Sequence, residues 1–108
     1  MDDKQKLKLQ EQIEELEAVR GRHTELVTVM IPVDFNIHGV TKQLEAERST
    51  AENIKSKSTR SAVTDSIDII IRFLKGTKQT PSNGLALFAG NVSEKEGVSD
   101  VKLWAIEP

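Results

Sequence analysis

Residues 63–76 read VTDSIDIIIRFLKG, and the spacing of their apolar side chains constrains the architecture of the whole chain. The large apolar residues recur at i, i+4, i+7, i+8 and i+11, the period of one helix face. They are Val63, Ile67, Ile70, Ile71 and Leu74. Gly76 then supplies a helix stop signal. The pattern predicts a helix that ends near Gly76 and buries this face in a core.

A second, weaker helix precedes it. Asn36 can cap its first turn, and a short apolar face follows at Ile37, Val40 and Leu44. After the polar residues 45–48 we expect a loop over Ser49–Arg60, STAENIKSKSTR, in which Ile54 is the only large apolar residue. An isolated apolar side chain in such a loop either anchors it to the core or contacts a partner.

Three short segments are typical of strands. Glu25–Ile31 (ELVTVMI) is apolar on both faces, which predicts a buried strand, and Pro32 ends it because proline cannot donate to a ladder. Leu85–Ala89 predicts a second buried strand after the turn-rich residues 80–84, TPSNG. Val101–Ile106 alternates more and predicts a half-covered third strand.

Residues 3–20 predict an amphipathic helix with a narrow stripe at Leu9, Ile13, Leu16 and Val19. The element order is therefore α-β-α-α-β-β, an α+β domain in which helices pack on a small sheet. We expect residues 1–108 to form a single domain. Because the last strand ends the chain with an uncovered edge, we also expect the domain to be cut before its final strand.

The composition excludes several classes of function. The 108 residues carry 15 Lys and Arg against 17 Asp and Glu, a net charge of −2, and no cysteine, so disulfides and thiolate chemistry are absent. No apolar run approaches the roughly 20 residues of a membrane helix, and the charged N-terminus is no signal peptide. His23 and His38 lack partners at metal-ligand spacing. We therefore expect a soluble, cytoplasmic, non-enzymatic domain with no metal, cofactor or membrane.

Positive charge is concentrated in one segment. Residues 48–60 contain four Lys and Arg and one acid, a net +3, so the other residues sum to −5. Hydroxyl and amide side chains accompany the cations, and this mixture can contact phosphates and base edges. A solvated interhelical loop explains the same composition without any partner.

The residues in this segment resemble a known family. Asn53-Ile54-Lys55-Ser56, within TAENIKSKSTRSAV, resembles the stop-codon-reading loop of the class I peptide chain release factors of archaea and eukaryotes. Gly21-x-x-Thr24 before the first strand resembles the family's glycine-threonine-serine segment, and Glu47 stands where the family has a glutamate. Residues 81–90 resemble its Pro-x-Asn-Gly-Leu strand entry. The resemblance covers nearly all of residues 13–108, and the compact connection over residues 90–104 favours the archaeal branch.

The resemblance implies an N-terminal decoding domain whose helix–loop–helix tip carries Asn-Ile-Lys-Ser. It implies that Asn53 and Lys55 contact the uridine that begins every stop codon, while Ile54 and Ser56 shape the loop. The partners it implies are the mRNA stop codon and small-subunit ribosomal RNA. In the full-length protein they also include a translational GTPase bound through a C-terminal domain.

Further roles are carried over from matching positions. Thr24 would sense the second and third codon positions, and Glu47 would fix the compact shape of the codon. Lys57 and Arg60 match basic family positions and would contact phosphate or ribosomal RNA. The Gly-Gly-Gln domain that directs peptidyl-tRNA hydrolysis in the family lies outside residues 1–108.

The chain also departs from the family pattern. The glycine-threonine-serine segment reads His23-Thr24-Glu25, Glu52 stands where the family often has serine, and the family's tyrosine–cysteine reading motif does not occur. An alternative therefore stays open: a stand-alone protein-interaction domain, or a truncated paralogue without decoding activity.

Overall fold

The computed structural model describes residues 3–20, 26–78, 80–81, 84–93 and 100–107, and of residues 17–20 it describes the backbone only. Its elements confirm the predicted order α-β-α-α-β-β and the α+β class. They are α1 (Asp3–Arg20), β1 (Val27–Ile31), α2 (Ile37–Ala51), α3 (Lys57–Lys75), β2 (Leu85–Asn91) and β3 (Val101–Ile106).

The three strands form one antiparallel sheet in the order β1-β2-β3. Leu87 on the central strand lies opposite Val29 on β1 and Ala105 on β3, so these three side chains share one face of the sheet. The helical pair α2–α3 connects β1 to β2, and the described strands leave β1 and β3 at the two edges.

The main core lies between one sheet face and the α2–α3 pair. The stripe predicted on α3 supplies four of the eight buried residues on its helical side, and Ile70 and Leu74 are almost completely buried. The buried members of this cluster are Ile31, Ile37, Val40, Leu44, Ala51, Ile67, Ile70, Ile71, Leu74, Leu85, Leu87 and Ala89.

Helix α1 covers the opposite face where β2 and β3 lie. Leu16 packs beside the buried Trp104, and the Gln12 side-chain amide donates to the carbonyl of Ala105 (Nε2 to O, 3.1 Å). The predicted stripe on α1 is only partly right, because Ile13 is 44% exposed. Leu9, Gln12 and Leu16 face the sheet instead, and Ile13 lies about 100° around the helix from Gln12. Val19 lies outside the described side chains.

The expectation that β1 is buried on both faces is wrong. Val29 packs on the main core, whereas Thr28 and Met30 on the other face are exposed, Met30 to 64%. Since α1 packs against β3, it leaves this side of β1 uncovered. Both faces of a strand can be apolar in sequence without both being covered.

The predicted element ends are close to those observed. The Asn36 side chain accepts the His38 N–H at 2.9 Å and caps α2, and Gly76 ends α3. β1 stops before Pro32, and β2 runs two residues beyond the predicted Ala89. Glu25, at the predicted start of β1, lies outside the described residues.

Candidate nucleic-acid interface

Helices α2 and α3 are joined by residues 52–56, which we call the tip loop. The loop expected over residues 49–60 is too long. Ser49 and Thr50 remain helical, and their hydroxyls donate to backbone carbonyls one turn earlier, both at 3.3 Å. Ala51 is buried in the core and ends the helix. The connection between the helices is therefore a short turn. Of the four cations in residues 48–60 only Lys55 lies in it, and the other three lie on the ends of α2 and α3.

Ser56 begins the second helix of the pair. Its hydroxyl accepts the Thr59 N–H at 3.4 Å, and its carbonyl accepts the Arg60 N–H at 2.8 Å, so it is the N-cap of α3. Lys57 is the first residue of the helix and is exposed. The family motif thus ends on a residue with a local structural role.

Ile54 is half-buried and packs against the main core, which decides between the two alternatives left open for it. Its N–H donates to the Ala51 carbonyl at 3.1 Å. Its own carbonyl accepts a hydrogen bond from the Arg60 guanidinium (Nη1 to O, 3.3 Å). Ile54 therefore anchors the tip loop, and Arg60 braces it from α3.

Asn53 and Lys55 flank this anchor, and both side chains are exposed. The Asn53 N–H donates to the Thr50 carbonyl at 3.1 Å, which holds the backbone in a tight turn at the end of α2. The exposed amide and ammonium groups are hydrogen-bond donors on a restrained backbone. This arrangement can recognise a small acceptor surface such as a base edge.

The charges at the tip fall into two groups. The Arg48 guanidinium is paired with two carboxylates, Asp68 (Nε to Oδ1, 2.6 Å) and Glu52 (Nη1 to Oε1, 2.7 Å). The hydrogen bond that Arg48 donates to the Asp68 carboxylate is the main reason that the pKa of Arg48 is raised above its usual value. Within the described ranges no ion pair involves Lys55, Lys57 or Arg60, and these three side chains account for the unpaired positive charge.

Glu47 lies on α2 one turn before the tip and is exposed. It lines a groove of about 630 Å³ together with Thr50 and Ile54 on the helical side. Residues 27–30 of β1 line the other side. The structure thus brings Glu47 to the same groove as the loop anchor, while Thr24 lies outside the described residues.

Sequence reasoning missed the bridge between the two helices. The Arg48–Glu52 pair has i,i+4 spacing, a signal that could have been found. Asp68 is 20 residues further along and carries no such signal. No cluster of metal-ligating side chains occurs in the described ranges, and no described helix is long and apolar enough to cross a membrane.

The chain is similar to proteins of one family. A family model described as eRF1 domain 1 matches residues 4–108. Peptide chain release factor subunit 1 of Thermococcus kodakarensis is 57% identical over 100 residues, which cover 93% of this chain and 24% of that protein. The same subunit of Pyrococcus abyssi is 52% identical over 106 residues, 98% of this chain and 26% of that protein.

A solved structure shares the fold. A crystal structure of an archaeal translation termination factor, aRF1, superimposes with a TM-score of 0.67 at 28% identity, covering 88% of this chain and 27% of that one. These matches confirm the family resemblance found in the sequence and the archaeal branch that it favoured. The chain spans about a quarter of the length of the curated relatives it matches.

Proposed function

The chain belongs to the eRF1 domain 1 family, and from that premise we propose that it is the stop-codon-reading domain of an archaeal translation termination factor. Because it spans about a quarter of its relatives' length, the proposal assigns peptidyl-tRNA hydrolysis and GTPase binding to domains beyond residues 1–108. The domain itself recognises mRNA and catalyses nothing.

One observation carries the proposal. The tip loop presents two exposed donor side chains, Asn53 and Lys55, on either side of the half-buried anchor Ile54. An apolar anchor, a helix cap and a guanidinium brace hold the backbone of this loop and are supplied by Ile54, Ser56 and Arg60. Anchoring of this kind lowers the entropy lost when the loop binds a ligand.

The chemistry of uracil fits this loop. Its O4 and O2 atoms are acceptors, which suit an ammonium donor, whereas cytosine presents an amino donor in place of O4. A donor facing a donor in a dehydrated contact costs about 1–3 kcal/mol. That cost corresponds to a preference of about 5- to 150-fold for uridine over cytidine.

The other matched residues take secondary roles in the proposal. Glu47, beside the same groove, helps to hold the codon in a compact shape, and Thr24 contributes to reading the purines. Lys57 contacts phosphate or ribosomal RNA. Arg60 supports the loop through the Ile54 carbonyl, and its remaining donors are directed to phosphate.

The test is a site-specific crosslink. A thiouridine is placed at the first position of the codon in the decoding site of archaeal ribosomes, and the 108-residue chain is added. We expect a crosslink to residues 53–56 with stop codons and none with sense codons. Lys55→Ala should reduce it about 5-fold or more, whereas Lys75→Ala, an exposed lysine at the far end of α3, should leave it unchanged.

The alternative is a protein-interaction domain without decoding activity. The groove beside β1 favours it, together with the exposed apolar side chain of Phe35, which is among the residues that line this groove. Equal crosslinking with stop and sense codons would refute codon reading by this chain. No crosslink from protein shown to be folded would favour the alternative.

A further inference from the structure

At the base of the tip loop, the Arg48 guanidinium forms ion pairs with two carboxylates. Arg48 lies in the last turn of α2, Glu52 follows it at the end of that helix, and Asp68 lies on α3. The guanidinium donates to both carboxylates, to Asp68 at 2.6 Å and to Glu52 at 2.7 Å. One side chain therefore connects the end of α2 to the neighbouring helix.

Glu52 is adjacent to the residues proposed to read the codon. It directly precedes Asn53, and an unpaired carboxylate there would repel an approaching phosphate backbone. Its carboxylate is held by Arg48 instead, on the side of the helix pair. Arg48 offsets only part of the charge of Glu52, because one guanidinium shared with Asp68 leaves the three side chains with a net charge of −1. Among the described residues, the unpaired cations beside the loop are Lys55, Lys57 and Arg60.

We propose that Arg48 is a positioning residue of the tip loop: it ties the end of α2 to α3 and offsets part of the charge of Glu52 beside Asn53. The importance of this role for decoding rests on the proposed function. The bridge itself and its effect on the loop do not.

The shape of the side chain is central to this role. A planar guanidinium presents several N–H donors in fixed directions and can bridge two carboxylates at once, whereas a lysine ammonium is a compact point charge on a flexible stem. The three side chains are 36%, 58% and 39% exposed for Arg48, Glu52 and Asp68. Pairs this exposed add little to global stability. The effect should therefore appear at the loop and not in the melting temperature.

The first readout is amide hydrogen exchange measured by NMR at Asn53 and Ile54, whose N–H groups close the turn. Arg48→Met should accelerate exchange at both sites about fivefold or more, and Arg48→Lys should not restore the slow rate. Arg72→Met, which removes an exposed arginine from the last turn of α3, is the matched control and should change neither site.

The second readout is the local electrostatic potential, taken from the ratio of amide-proton relaxation caused by a cationic and an anionic nitroxide. Arg48→Met should shift this ratio at residues 53–55 toward negative potential. Adding Glu52→Gln to that variant should restore the ratio without restoring the slow exchange. Arg48→Lys should likewise keep the ratio near that of the parent chain.

Each readout can overturn the proposal. Unchanged exchange in Arg48→Met would show that the bridge does not position the loop. A shift of potential that Glu52→Gln fails to reverse would show that Arg48 does not act through Glu52.

The crosslinking assay then separates the two proposals. Where the parent chain crosslinks to stop codons, Arg48→Met should reduce the yield about threefold or more, and an unreduced yield would overturn the role in decoding. Where the parent chain gives no crosslink, the proposed function fails while the NMR readouts still decide the role of Arg48.

Discussion

Replacing Gly84 with alanine would place a methyl group against the end of β1. Gly84 has φ +87°, and a Cβ built there would lie 2.8 Å from the carbonyl oxygen of Ile31. The left-handed backbone alone costs a non-glycine residue about 1–2 kcal/mol. The contact adds to that cost, because the atom it meets belongs to the backbone of a paired strand and cannot rotate away.

The same chemical change should have the opposite effect at Gly39. This glycine lies in the first turn of α2, and its added Cβ would meet nothing within 4 Å. Alanine there removes conformational freedom from the unfolded chain and should stabilise the domain by about 0.5–1 kcal/mol. For a domain of this size about 1 kcal/mol corresponds to 4–8 °C in Tm.

The assay is thermal and urea unfolding of the two variants beside the parent chain. We expect Gly84→Ala to lower Tm by about 5–15 °C and Gly39→Ala to raise it by about 2–8 °C. A shift of both variants in the same direction, or an unchanged Tm for Gly84→Ala, would refute the reasoning. It would mean that the turn entering β2 does not approach β1 as the structure has it.

Three further changes test other parts of the fold. Leu87→Ala should lower the free energy of unfolding, measured in urea, by about 2–5 kcal/mol because Leu87 is 0% exposed. Met30→Ala should change it by no more than about 0.5 kcal/mol. Equal losses in the two variants would contradict the assigned sheet faces. Ile54→Ala should lower the free energy of unfolding by about 1–2 kcal/mol and accelerate amide hydrogen exchange across the tip loop. Exchange that stays slow in this variant would mean that the loop needs no anchor. The hydrogen bond from Lys102 lowers the pKa of Glu15, so the contribution of this ion pair to the docking of α1 should be fully present above the ordinary carboxyl pKa of 4.5 and should be lost as the pH falls below it. Fluorescence of the single tryptophan, which lies under α1, should follow this transition, and Lys102→Met should flatten it; an unchanged transition would show that another group controls docking.

Several elements of this fold were predicted from local sequence patterns. The stripe from Val63 to Leu74 predicted α3 because a helix of period 3.6 brings those positions onto one face whatever it packs against. Asn36, Pro32 and Gly76 marked element ends because caps and breakers act through the backbone of their immediate neighbours. The loop motif and its charge were visible for the same reason, since they are contiguous in sequence.

Other features required the tertiary structure. β1 looked buried on both faces, but the position of α1 over β2 and β3 leaves Met30 exposed, and no local pattern determines where a helix docks. Ile13 is exposed for the same reason. The limits of the tip loop depended on hydroxyl groups that bond back along α2 and on the burial of Ala51, both of which require the packed helix pair.

The candidate site likewise combines features that are local in sequence with features that depend on tertiary contacts. The sequence by itself determined which residues carry the donors of the loop, because residue type and order are local properties. Only the tertiary structure decided that Ile54 points inward, that Arg60 braces its carbonyl and that Arg48 joins Glu52 to Asp68 across 20 residues of chain. Contacts between distant residues form when the core brings two helices together, and their partners leave no periodic signal in the sequence.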